Sequence, residues 1–96
     1  NLNLKHNDLT FSGKEVSLSD ELISVSGNPI SFARKNIFKG LSDEIKIDLK
    51  RKLLYLSGTS SIFIDGKNIS GEDIVFDYKN NSILNSENLR IKSENS

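Results

Sequence analysis

The 96-residue chain has no cysteine, no methionine, no tryptophan, one proline and one histidine. Without cysteine there is no disulfide, no thiolate metal site and no thiol nucleophile, and the redox compartment stays undecided. With His6 alone, no histidine pair can hold a metal and no Ser-His-acid set can assemble. His6 itself, near a chain end, reads as a surface residue. Charge of one sign is also missing: 13 basic residues balance 13 acidic ones, so no long-range field draws the chain to nucleic acid or to an anionic membrane. The longest apolar run, LLYL at residues 53–56, falls far short of the roughly 20 residues that cross a bilayer. A chain that opens at Asn1 and has no methionine is expected to be a processed or excised, soluble piece whose targeting peptide would already be gone.

What is present favours strands. Apolar residues make up 35% of the chain and are mostly Ile, Leu, Val and Phe, while alanine occurs once, at Ala33. With Asn, Ser and Gly abundant, the mixture suits strands and turns better than helices. The length predicts one domain over residues 1–96 with a thin core, since a chain this short buries only about 60–65% of its unfolded surface.

The chain also repeats itself. VSGNPISF at 25–32 returns as LSGTSSIF at 56–63, and three landmarks shift together by 31 residues: Gly27 to Gly58, Phe32 to Phe63, Gly40 to Gly71. After the second glycine, DEIKID at 43–48 matches EDIVFD at 72–77, and a weaker copy, NDLTFS, lies at 7–12. The spacing from Gly40 to Ile45 and from Gly71 to Ile74 is odd in both copies, so a longer turn or bulge in the first would leave the inward set unchanged. Self-similarity at a period of about 30 residues marks stacked supersecondary units.

A helix competes locally for LSDEIKIDLKRKLLYL, where Ser42 would cap and Ile45, Leu49 and Leu53 fall at i, i+4 spacing. The partner segment carries Val75, Phe76, Tyr78 and a Lys79-Asn80-Asn81 turn, which suit a hairpin, so both copies are predicted as strands. Short strands follow near 8–12, 14–19, 22–26, 30–35, 43–48, 52–57, 60–65, 67–70, 73–77, 82–85 and 87–92. They are separated by turn signals at Gly13, Asp20, Gly27-Asn28-Pro29, Lys50-Arg51, Gly58, Asp65-Gly66 and Asn80-Asn81. Apolar residues alternate within them, as at Leu9 and Phe11, Val16 and Leu18, Ile23 and Val25, and Leu89 and Ile91. One continuous apolar face must fold over on itself, which predicts an all-β antiparallel sandwich or jelly roll. The residues alone favour a closed core over an open groove.

Other signals are weak. The acidic pairs Asp43/Glu44 and Glu72/Asp73 recur with the repeat and alternate across a strand, so they read as structural, at the start of strands, rather than as catalytic carboxylates. Lys50-Arg51-Lys52 reads as a solvated turn. Asn68-Ile69-Ser70 fits a glycosylation sequon, while Asn85-Ser86-Glu87 does not. SGEDIVFD lacks the glycine spacing and the lysine of a phosphate loop.

Read in order, VSGNPISF, FKGLSDEIKIDLKRKLLYLSG and KNISGEDIVFDYKNNSI resemble the LptA/OstA family, the periplasmic proteins of lipopolysaccharide transport, over roughly residues 8–85. LptA and the related domains of LptC and LptD fit this pattern alike. The chain departs from it at Gly58-Thr59-Ser60, where the family has Gly-Asn-Ala, and in its drifted first copy. The resemblance implies a β-jelly roll open at its ends, no catalytic residue, no metal and no cofactor. It implies that lipopolysaccharide moves along the domain with its lipid A acyl chains inside, and that neighbouring domains join by edge-strand pairing into a head-to-tail homo-oligomer. The interior positions it points to are Leu9, Phe11, Val16, Leu18, Ile45, Ile47, Leu54, Leu56, Ile62, Ile74 and Phe76. Leu2 to Lys5 and Leu89 to Lys92 would be the docking edges. A closed β repeat module serving as a spacer or protein-interaction domain is the alternative.

Overall fold

A computed structural model describes residues 2–6 and 8–93, so Asn7 of the NDLTFS copy lies outside it. Eight strands follow one another: β1 (Leu2–His6), β2 (Leu9–Gly13), β3 (Glu15–Ser19), β4 (Leu22–Arg34), β5 (Phe38–Asp48), β6 (Leu53–Ile64), β7 (Lys67–Asp77) and β8 (Ser82–Ser93). They form one antiparallel sheet in the order β1-β2-β4-β5-β6-β7-β8, with β3 alongside the first part of β4. β2 and β3 therefore run as one interrupted strand along β4. Residues 41–56, where a helix competes in the sequence, form the end of β5, a turn over 49–52 and the start of β6.

Hairpin tips carry the residues such turns require. Asp20, Asn36, Lys52, Asp65, Gly66 and Asn81 all have positive φ, the conformation that Gly, Asn and Asp adopt at least cost. At two tips an aspartate holds the chain in place. The Asp48 carboxylate accepts the N–H groups of Lys50 (3.1 Å) and Arg51 (2.9 Å), and Asp77 accepts those of Lys79 (2.9 Å) and Asn80 (3.0 Å).

Two of the sequence's turn signals have another role. Gly27-Asn28-Pro29 and Gly58 interrupt no strand; each lies at a register shift in the middle of a long one. Similar shifts occur in β5 between Leu41 and Glu44 and in β7 around Ser70–Val75. The paired acids Asp43/Glu44 and Glu72/Asp73 sit at these bends rather than at strand starts. Extra residues bend a strand and sharpen its twist, and aligned bends fold the sheet into two layers. The first contains β1, β2 and residues 30–34, 38–42, 60–64, 67–71 and 88–93. The second contains β3 and residues 22–26, 44–48, 53–57, 74–77 and 82–87.

The bends also explain the unequal repeat. Between the last inward residue before the bend and the first after it lie three steps in β5 (Ser42 to Ile45) and three in β7 (Gly71 to Ile74), so Gly71 is the counterpart of Ser42, not of Gly40. No insertion separates these copies. β4 takes five steps (Val25 to Ile30) and β6 takes four (Leu56 to Ser60). Phe32 consequently points into the core while Phe63 points outward beside Lys39. At the corner, buried Ser42 and Ser60 bond to each other at 2.9 Å, and their hydroxyls reach the carbonyls of Glu44 and Gly58 at 3.0 and 3.3 Å. The polar groups exposed by bending are thus paired inside.

Candidate functional site

Directly paired residues on adjacent strands share a face, so the inner surface can be read as rows. One row crosses the first layer as Leu4, Phe11, Phe32, Gly40, Ile62, Ile69 and Ile91. The second layer has Leu18, Ile23, Ile47, Leu54, Phe76 and Ile83, and beside it Val16, Val25, Ile45, Leu56 and Ile74. The layers meet through aromatic side chains, with Phe38 edge-on to Phe76 at 4.9 Å and to Phe32 at 6.3 Å. Buried dispersion contacts and apolar burial hold them together.

Opposite the corner, Arg34 latches the layers. It projects from β4, pairs with Asp8 at 3.1 Å, and donates to the Tyr78 carbonyl and to Asn81 Oδ1 (3.0 Å) in the other layer. Its guanidinium lies 5.9 and 5.7 Å from the Phe38 and Tyr78 ring centres, within cation–π range. Tyr78 is buried, and its hydroxyl has no hydrogen-bond partner among the described residues. Burial raises its pKa above the usual value, against the lowering influence of Arg34. Sequence patterns gave Arg34 no role; a lone arginine in an otherwise apolar alternation, SFARKNIF, was the available signal.

All eleven interior positions named from the sequence face inward, but in two different settings. Leu9, Phe11, Ile45, Ile47, Leu54, Leu56, Ile62, Ile74 and Phe76 are buried in the packed centre. Val16 and Leu18 lie on the same inner face, opposite Val25 and Ile23, yet are exposed, Leu18 by 68%. The same happens diagonally across the molecule, where Leu89 and Ile91 of β8 face inward but are 44% and 59% exposed. Each layer overhangs the other at one edge.

Under the β8 overhang a cleft of about 350 Å³ opens between the layers, walled by Ile64, Ile69, Phe76, Ile83, Leu89 and Ile91. Its size falls at the small end of ligand pockets. Asp65, Lys67, Asn81 and Ser82 stand at its rim. The sequence pattern puts Leu89 and Ile91 in a docking edge, and the interior set it points to does not contain Ile64, Ile69 or Ile83. Their alternation was visible, but which strand would overhang depends on the offset of the layers. Among the described residues no cluster of three or more His, Asp or Glu side chains is placed to hold a metal. His6 lies half-buried in β1 rather than on the surface, and Lys50, Arg51 and Lys52 form the exposed β5–β6 turn.

A protein that folds this way has been solved. The crystal structure of LptH, the LptA-homologous periplasmic component of the lipopolysaccharide transport device of Pseudomonas aeruginosa, superposes with a TM-score of 0.80, covering 94% of this chain and 77% of LptH. The two share one fold. Identity over the match is 14%, so the LptA-type fold is retained on almost entirely different side chains. No protein-family model and no curated protein matches the chain. The bent, two-layered sheet with overhanging edges is therefore an LptA-type β-jelly roll, as the resemblance implies.

Proposed function

We propose that this chain is a non-enzymatic, periplasmic component of a lipopolysaccharide-transport bridge, holding acyl chains between its layers and passing them to neighbouring domains. The observation that carries the reading is the β8 overhang, where Leu89 and Ile91 offer exposed aliphatic surface over an apolar cleft instead of being covered. Each methylene moved from water into such a site contributes about 0.8 kcal/mol, so an acyl chain needs apolar facing and no specific polar chemistry. The LptA-type fold supports the same reading.

The outermost strands supply the means of assembly. β1 and β8 end the sheet and β3 ends the second layer, so each leaves one row of backbone groups unpaired within the described sheet. Such edges pair readily with another strand, and stacking β8 of one copy on the opposite edge of the next would join the apolar overhangs head to tail. A sealed spacer module is the second reading, favoured by the packing of Ile45, Ile47, Leu54 and Leu56 at the centre.

Photoreactive side chains separate the two. A probe at Leu89 or Ile91 is expected to crosslink to lipopolysaccharide, and one at Lys46, exposed on the outer face of the second layer, is not. Equal labelling at all three sites, or none at Leu89 and Ile91, would support the spacer.

A further inference from the structure

The outer face of the first layer holds a second, larger depression that the transport reading does not use. Two cross-strand rows make it: Asn3, Ser12, Ser31, Leu41, Ser61, Ser70 and Arg90, and beside it Lys5, Thr10, Ala33, Lys39, Phe63, Asn68 and Lys92. Short Ser, Thr and Ala side chains floor the depression where β2, β4 and β6 cross it, and Leu41, Lys39 and Phe63 rise as its walls, enclosing about 600 Å³. A further 340 Å³ continues past Ala33, Lys39 and Phe63 to Ile37 at the β4–β5 turn. Leu41 and Ile37 are exposed large hydrophobics, Leu41 on the same face of β5 as Lys39 and Ile37 in the turn before it.

Charge in these rows is one-sided. Lys5, Lys39, Arg90 and Lys92 occupy them with no acidic residue, in a chain whose charges cancel overall. Arg34, Lys35 and the single acid Asp65 line the continuation, and Arg34 is already bonded to Asp8, Tyr78 and Asn81. The Lys39 ammonium lies 5.8 Å from the Phe63 ring centre, so a cation stands over the apolar wall itself. The central strands β2, β4, β5, β6 and β7 are paired on both sides in this layer, so no backbone edge lies beneath Ala33, Lys39, Leu41 and Phe63, and at the margin of the depression only β1 ends the sheet.

We propose that this trough is a second amphiphile site, taking a single acyl chain with an anionic head, its hydrocarbon against Ala33, Leu41 and Phe63 and its head at Lys39. An apolar groove of this size with few convergent cations has the form of such a pocket, and the absence of acids makes an anionic head its complement. The site lies on the opposite side of the first layer from the cleft, and it stands whether or not the cleft carries lipopolysaccharide.

Amide chemical shifts of the intact chain, titrated with dodecanoate and with dodecanol below their aggregation thresholds, test it. Dodecanoate is expected to move Ser31, Ala33, Lys39, Ser61 and Phe63, with dodecanol binding there at least fivefold more weakly. Lys39→Glu and Leu41→Asp, both at exposed positions, should each weaken dodecanoate at the trough about fivefold or more, the scale of one exposed ion pair or about one methylene. Ile91→Asp should alter only shifts around Ile69, Ile83 and Leu89. The proposal is overturned by shifts confined to those cleft residues, by equal affinity for dodecanoate and dodecanol, or by unchanged binding in a folded Lys39→Glu variant. Loss of cleft shifts alone would sink the transport reading and leave the trough standing.

Discussion

Gly40 has no space for a side chain. A methyl group there would run into the backbone carbonyl oxygen of Ser61 on the neighbouring strand and the buried Phe32 ring. Gly40→Ala is accordingly expected to lower stability by about 1–3 kcal/mol, the usual range for overpacking, read as a lower urea midpoint with an unchanged slope. Tyr78 is the reverse case, since its buried hydroxyl finds no partner among the described residues. Tyr78→Phe should leave stability unchanged at neutral pH or raise it by about 1 kcal/mol, because the deleted group was desolvated without compensation. Its pKa is raised by burial, so the neutral form is favoured in the folded state. The contribution is present in full below pH about 10, the unfolded value, and is lost as pH rises through the folded one. Urea midpoints between pH 9 and 11 should fall in the parent and fall less in Tyr78→Phe. Neither role could be read from residue type, since Gly40 falls between the strands predicted at 30–35 and 43–48 and Tyr78 beside a turn, and only the folded sheet tells which atoms they meet.

The elements show where sequence legibility stopped. Alternation tells which side of a strand faces inward, because a one-residue register error would turn the whole strand over, but not which inward residues are covered: Leu9 is buried and Leu18 is exposed. What misled was glycine. At Asp65-Gly66 it marks a hairpin tip, while at Gly27 and Gly58 the same signal marks a bend within a strand, and positive φ is used for both. Only the pairing partner distinguishes them. Asp73 makes the bend testable, for it has φ of 50° and its carboxylate accepts the Gly58 N–H at 3.1 Å, tying the bends of β6 and β7 together. Asp73→Asn should keep both properties, whereas Asp73→Val combines a β-branched residue at positive φ with a lost bond and should cost about 2–3 kcal/mol. Equal stability of the two variants would mean that the bends are set by packing alone. The β7–β8 tip carries an acid-sensitive contact. The Asn80 backbone N–H and then its side-chain amide lower the Asp77 pKa, so the contact is intact above the unfolded carboxylate value, near pH 4, and is lost as pH falls through the folded one. Asp77→Asn should flatten that acid limb of the stability profile, measured by urea midpoints from pH 5 to pH 2.

At the scale of the whole molecule, the packed centre and the open cleft make opposing demands, and Arg34 lies between them. On the proposed reading, a cleft of about 350 Å³ would hold only part of a long acyl chain, and burying more would require the layers to part where the inner rows meet. The corner cannot yield, because strands run through it and Ser42 and Ser60 are bonded inside it. The opposite end is held by Arg34, whose partner Asn81 also stands at the cleft rim. Its side chain is only 14% exposed, whereas Asp8 is 54% exposed. Removing Asp8 therefore deletes an exposed partner worth under about 1 kcal/mol, while Arg34→Ala leaves the Tyr78 carbonyl and Asn81 unbonded at the seam and should cost about 2–3 kcal/mol. If the latch limits how far the layers open, Arg34→Ala will lose stability yet take up a fluorescent long-chain fatty acid faster and more tightly than the parent, with Asp8→Ala close to the parent in both measurements. Asp8 comparison guards against a mere charge effect, and amide exchange of residues 30–34 and 74–78 would show the two layers loosening together. Uptake that falls in step with stability would mean that Arg34 shapes the cleft rather than restrains it, because a site held open by its walls loses affinity when they slacken, whereas a site held shut gains it.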